Sequence, residues 1–184
     1  MANRRDAPRI AALHADSWRR HYRGAYSDAF LDGDVAGDRV TVWAERLSHP
    51  DGDSYTVLAE AGTSLVGFAH TVLDQDPTWG ALLDNLHVVH SRQRTGVGSE
   101  LLALSARAVS QRGTGLYLWV LEQNRDAQAF YEARGAQRME RALASPPGGV
   151  ASRLNGSPAK LRYAWSDLGP LLGARARRAR DGRS

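Results

Sequence analysis

The stretch LLDNLHVVHSRQRTGVGS, residues 82–99, decides how the rest of the chain is read. Its first half carries Leu82, Leu83, Leu86, Val88 and Val89, with Asp84, Asn85 and His87 set among them, and reads as a strand. A polar, basic turn follows from His90 to Thr95. Gly96, Val97 and Gly98 then open the helical run SELLALSARAV. Strand, glycine turn and helix in that order make a place for an anion. Glycines let the backbone approach it closely, and the first free amides of a helix point at it along the helix dipole. The turn is neither the dinucleotide fingerprint nor a P-loop. The first glycine of GxGxxG is absent, and no glycine-Lys-Ser/Thr ending occurs.

Working outward, residues 7–22 read as a helix with Ile10, Leu13 and Trp18 inward, Asp6 as cap and Pro8 in the first turn. A shorter helix over 38–47 turns Val42, Trp43 and Leu47 inward. Residues 49–53 are a turn, 55–60 a strand, 61–64 a hairpin connection and 65–73 the next strand. Asp74 to Pro77 turn the chain toward the central strand. The helix from 97 to about 111 buries Val97, Leu101, Leu102, Leu104 and Val109, and Arg112 to Gly115 end it. Leu116 to Leu121 is almost wholly apolar, as in the middle of a covered sheet. Asp126 caps a helix that Gly135 stops, and 136–143 is another strand. Residues 145–159, rich in proline and glycine, read as a mobile loop, and 160–166 as the last strand. The expected architecture is α/β (α+β): one domain, 1–168, with a single mixed sheet and helices on its faces.

Composition agrees with a globular chain: 184 residues, 42% hydrophobic and 24% charged, suffice for one domain with a sizeable core. The absence of cysteine excludes disulfides and thiolate metal sites. The six histidines show no metal-ligand spacing, so no metal is expected. No apolar run is long enough to span a bilayer, and MANRRDAPRI has no apolar signal core, so the expected location is cytoplasmic. The net charge of +4 is concentrated in Arg175, Arg177, Arg178, Arg180 and Arg183. Residues 169–184 therefore read as a basic, disordered tail, with nucleic acid the less favoured partner.

Two segments in sequence resemble a known family. Leu86-His87-Val88, followed by Gln93-x-x-Gly96-x-Gly98, resembles the acyl-CoA pyrophosphate motif of the GNAT superfamily of N-acetyltransferases. Trp119-Val120-Leu121-Glu122-x-Asn124-x-x-Ala127-x-x-Phe130-Tyr131-x-x-x-Gly135 resembles that superfamily's next motif. Ser17-Trp18, Tyr22-Arg23-Gly24 and Trp43 are similar to the N-terminal helices of many bacterial members. The chain departs from the pattern at His90, where a proline is common. It departs again at Thr95, where a basic residue is common and Arg94 stands beside it.

The resemblance implies a mostly antiparallel sheet in which the strands of Val88 and Trp119 run parallel and splay apart. Acetyl-CoA would lie in that gap as co-substrate. Its arm would pair near Leu86, His87 and Val88, and its pyrophosphate would rest on the turn of Arg94, Thr95, Gly96, Val97, Gly98 and Ser99. Asn124 and Tyr131 would complete the cradle. The implied reaction is direct attack of a primary amine, small-molecule or peptide, on the acetyl group in a ternary complex. The alternative is an acyl-CoA-binding, protein-interaction module without turnover. Tyr131 would protonate the leaving thiolate, since a phenol is protonated at neutral pH, and the Val88 amide would polarise the carbonyl. Asp84, His87 and Glu122 are the candidate bases, with a water chain as substitute and His70 weaker. A regular strand puts Asp84 and His87 on opposite faces. Trp18, Tyr22 and Tyr26 would line the acceptor site. The resemblance leaves a homodimer open.

Overall fold

The computed structural model describes residues 1–48, 52–112 and 115–173. One six-stranded sheet runs through it in the order β1-β2-β3-β4-β6-β5. Strands β1 (Ser54–Ala61), β2 (Ser64–Asp76) and β3 (Gly80–Val88) form an antiparallel meander. Helix α4 (Val97–Ser110) crosses from β3 to β4 (Leu116–Leu121), which lies parallel to β3. β5 (Gln137–Leu143) and β6 (Ala159–Trp165) complete the sheet antiparallel to each other and to β4.

Both faces are covered. On one, Leu101, Leu102, Ala106 and Val109 of α4 pack with Val57, Ala69, Leu83 and Leu118. On the other, α1 (Ala7–His21) and α3 (Val35–Arg46) bring Ile10, Ala11, Leu13 and Trp43 against Phe68. β2 runs through the middle and is buried on both sides from Val66 to Thr71. Gly67 marks its closest contact with α4. A Cβ there would stand 3.0 Å from both the His87 carbonyl oxygen and Leu101 Cδ1.

The parallel pair is short. Only Ala81↔Leu116 and Leu82↔Tyr117 are in register. Beyond them β3 pairs with β2 alone and β4 with β6 alone, so the two strands diverge as expected. The divergence starts at a β-bulge. His70 faces Asn85 while Thr71 faces Leu83, which leaves Asp84 as an extra, unpaired residue. An inserted residue bends its strand and shifts the side-chain alternation by one position. Accordingly Ala81 and Leu83 face the α4 core before the bulge, and Leu86 and Val88 face it afterwards.

Several expectations are corrected. A helix α2 (Asp28–Asp32) was not foreseen, and α3 begins at Val35, three residues early, with Asp34 capping it. β2 continues through Asp74 to Asp76, so the turn falls at residues 77–79. α5 (Arg125–Glu132) is capped by Asn124, whose side chain accepts from the Ala127 amide, and not by Asp126. The loop over 145–159 is tied down. Ser27 donates to the Arg153 carbonyl, Asn155 donates to that of Ala25, and Arg153 pairs with Asp38 at 2.8 Å. A short helix α6 (Gly169–Leu172) buries Leu171, and the arginine-rich residues 174–184 lie outside the described residues. Among the described residues no helix is long and apolar enough to cross a membrane.

Candidate active site

A cavity of about 690 Å³ fills the gap between β3 and β4. Its walls are Leu83 to Val88 of β3, Trp119 and Val120 of β4, the turn before α4, and the start of α5. Ser17, His21 and Tyr22 of α1 close one end. Strand alternation sets the direction of the β3 amides. Val89 donates to Val66 on the β2 side, so the amides of Leu86 and Val88 point into the gap that β4 has left.

The other end is built for an anion. Arg94 and Gly96 have left-handed backbone angles, φ 61° and 97°, which curl the turn into a concave row of amides. Gly96 caps α4 without a side-chain hydrogen bond, so the first amides of this helix stay open. By contrast, side chains cap α3 and α5. Gly98 leaves room above the turn, where a Cβ would stand 3.4 Å from the Phe130 ring. Arg134 completes this end. It donates to Ser99 Oγ at 2.6 and 3.1 Å and to the Phe130 carbonyl, with its guanidinium 3.7 Å from the centre of the Phe130 ring. Arg134 was read as a variable position in the second motif. Its place four residues after Phe130, just past the end of α5, was the available signal.

In the middle stand the groups suited to proton transfer. Tyr131 is buried, and burial pushes its phenol above the ordinary value, so it remains a donor at neutral pH. Its hydroxyl makes no hydrogen bond among the described residues. His87 packs against the rings of Phe68 and His14, at 5.3 and 4.6 Å, and its Nδ1 is 2.8 Å from Ser17 Oγ. Burial, with a smaller contribution from His21, pushes the imidazole down to about 4, while Asp84 works in the other direction. His87 is therefore neutral at pH 7.

The other expected residues divide. Leu86, His87, Val88, Arg94, Gly96, Gly98, Ser99, Asn124 and Tyr131 all line the cavity. Thr95 and Val97 do not: the Thr95 hydroxyl turns back to the Arg92 carbonyl, and Val97 packs on the core. Asp84 lines it too, and the bulge overturns its expected separation from His87. The Asp84 carboxylate is taken up by Arg46 at 2.7 Å and by the Asn85 amide. Glu122 does not face the gap. It lies on a separate surface depression and is held bidentately by Arg141 at 3.0 and 2.9 Å, which keeps its carboxyl below the usual range. Of the three aromatics, Tyr22 reaches the cavity. Trp18 and Tyr26 pack behind it, with the Arg39 guanidinium 4.3 Å over the Trp18 ring. His70 is buried against Thr56 and Trp43, outside the cavity lining. Ser17 was missed, because nothing in a helical Ser-Trp pair points across to a strand seventy residues later.

Comparison with known proteins agrees with this architecture. Residues 9–136 match the model of the acetyltransferase (GNAT) family. The chain is 29% identical over 133 residues to the probable N-acetyltransferase Rv2775 of Mycobacterium tuberculosis, covering 70% of this chain and 73% of that one. It is 28% identical over 137 residues to the uncharacterized N-acetyltransferase YuaI of Bacillus subtilis, covering 73% and 76%. Among solved structures, the PaiA N-acetyltransferase of Thermoplasma acidophilum, crystallised with coenzyme A, superimposes with a TM-score of 0.67 at 17% identity, covering 89% of this chain and 96% of that one.

Proposed function

The chain belongs to the acetyltransferase (GNAT) family, and from that premise we propose that it transfers the acetyl group of acetyl-CoA to a primary amine by direct attack within a ternary complex. The observation that carries this reading is the continuity of one cavity from the open α4 N-terminus, past the Val88 amide, to Tyr131 and His87. The cleft fits the co-substrate end to end. Open amides and the Arg94 and Arg134 guanidiniums suit a pyrophosphate, and the gap-facing amides of Leu86 and Val88 suit an amide-bearing arm.

When bound, the thioester supplies an activated acetyl group. The residues of the chain do the rest. The Val88 amide donates to the carbonyl oxygen as it gains charge, which stabilises the transition state more than the ground state. As the amine nitrogen bonds to the carbonyl carbon and the carbon–sulfur bond breaks, the Tyr131 hydroxyl gives its proton to the departing sulfur. His87 takes the surplus proton from the amine. Of the three candidate bases it alone is in the cavity without a charged partner holding it, since Asp84 is paired with Arg46 and Glu122 with Arg141. A ring as weakly basic as His87 releases that proton to water in the cleft, from which the Tyr131 phenolate regains one, and the amine must arrive neutral.

Calorimetric titration with acetyl-CoA and with CoA tests the cradle, beside a Gly96→Glu variant in which a carboxylate meets the phosphates. Micromolar binding that the variant loses is expected. A wild-type protein that binds neither ligand sinks the proposal. Binding without thiol release across an amine panel returns the chain to the alternative of a module without turnover.

A further inference from the structure

The neighbourhood of His87 holds more than a base needs. The ring packs in a three-ring cluster with Phe68 from β2 and His14 from α1, which also touch each other. One edge is fixed: Nδ1 meets Ser17 Oγ at 2.8 Å. Nε2 has no hydrogen-bond partner among the described residues, yet it is not among the sealed, unpartnered atoms. It is the nitrogen left to the cavity that His87 and Ser17 both line.

His14 gives the contrasting case. Trp43 Nε1 lies 3.0 Å from His14 Nδ1. An indole nitrogen only donates, so His14 Nδ1 accepts and the neutral ring carries its proton on Nε2. That Nε2 is buried with no partner. His14 is thus a neutral spacer, closed to solvent, whose ring packs at a tilt against that of His87.

We infer that Ser17 is the positioning residue of the site: its Oγ accepts the Nδ1–H of His87 and fixes the tautomer whose bare Nε2 faces the cleft. The proposal rests on the acetyl-transfer reading for its purpose. A ring held the other way round, with Ser17 donating to Nδ1, would present an N–H to the incoming amine and could not receive its proton. The partner of a histidine's remote nitrogen decides which nitrogen does chemistry. The two neighbouring histidines are therefore opposite tautomers: His14 protonated at Nε2 through Trp43, and His87 protonated at Nδ1 through Ser17. The charged and titratable groups facing His87 are His14 and His21 from α1, Arg39 from α3 and Asp84 from its own strand.

The test needs no acceptor. Long-range proton–nitrogen correlation spectra of histidine-labelled protein at pH 7 separate bare from protonated ring nitrogens. His87→Gln and His14→Gln assign the two rings. The expected wild-type spectrum has His87 with a bare Nε2 and His14 with a bare Nδ1. In Ser17→Ala the His87 signals move toward the averaged positions of a ring without a fixed tautomer, and Ser17→Thr, which keeps the hydroxyl, restores them. A wild-type His87 protonated at Nε2 overturns the proposal, as does a Ser17→Ala spectrum identical to the wild type. CoA titrations on the same samples separate this from the activity. Loss of CoA binding by the wild type removes the acetyl-transfer reading while the tautomers are still read directly.

Discussion

Lowering the pH from 7 to 5 should weaken the fold, because of the neighbouring buried pair His14 and His87. Both are buried, at 2% and 9% exposure. Burial is the first cause holding each below the ordinary histidine value, His14 well below and His87 at about 4. The unfolded chain binds these protons near the unperturbed value of about 6.5, so below that pH it gains protons that the folded chain refuses. Stability is therefore complete above 6.5, falls as the pH drops toward 4, and levels off below. For His87 alone the difference of about 2.5 units corresponds to about 3.4 kcal/mol in full, of which about 2 kcal/mol is lost between pH 7 and 5. His14 adds to the loss, and the two rings 4.6 Å apart cannot cheaply both charge. A loss of about 2 kcal/mol lowers the melting temperature of a chain this size by roughly 4–8 °C. Thermal and urea melts followed by circular dichroism at pH 7, 6 and 5, at fixed ionic strength, measure it. The comparison is with a His14→Gln/His87→Gln double variant, in which the dependence should flatten whatever the variant's starting stability. Equal stability at pH 7 and 5, or an unchanged slope in the double variant, would refute the reasoning.

Tyr131→Phe should slow thiol release about 10²–10⁴-fold, the range for losing a general acid, and leave acetyl-CoA affinity unchanged; a wild-type rate would assign the thiolate's proton to water. Glu122→Gln should leave turnover within about twofold, because its partner Arg141 is exposed and the pair is a surface one; a tenfold fall in rate would restore Glu122 as a base. Gly67→Ala should cost about 1–3 kcal/mol in urea melts, the range for overpacking, since the added carbon meets the His87 backbone and Leu101; an unchanged midpoint would show that β2 and α4 can separate freely.

The order of elements was legible because the central pieces follow single-cause rules. The run Leu116–Leu121 is apolar at nearly every position, since α4 and α5 cover one face and the Arg162 guanidinium lies over Tyr117 and Trp119 on the other. Gly96 marks the start of α4 because the turn requires φ 97° there. The residues that were misplaced answer to contacts distant in sequence. Glu122 sits beside the motif but is drawn out of the gap by Arg141, nineteen positions on, in a strand whose register no local pattern fixes. Trp18 and Tyr26 belong to the same aromatic stripe as Tyr22, but helix α2, short and weakly patterned, supplies Phe30 and Leu31 to pack them away from the cavity. The glycine- and proline-rich stretch 145–159 has the composition of a free loop. It is held instead by backbone groups and by Arg153, which pairs with Asp38 and lies 4.6 Å over the Phe30 ring.

The bulge at Asp84 is the instructive case, because the strand itself carries the signal for it. A regular strand that buries Ala81 and Leu83 on one face must present residues 85 and 87 to the same face. Those positions are Asn85 and His87, while the apolar side chains return at Leu86 and Val88. Two alternating apolar pairs, one position out of phase, mean that a residue has been inserted between them. The phase slip falls two residues beyond Leu82, the last residue of β3 in register with β4. One irregularity therefore has three consequences. It bends β3 at the point where β4 departs, and it brings His87 onto the face of α1, where Ser17 can reach it. It also turns Asp84 toward Arg46 of α3, which takes up the carboxylate, while His87 lines the cavity with Ser17 at its Nδ1. The break in the ladder thus falls where the sheet opens and where the His87 ring comes to line the cavity.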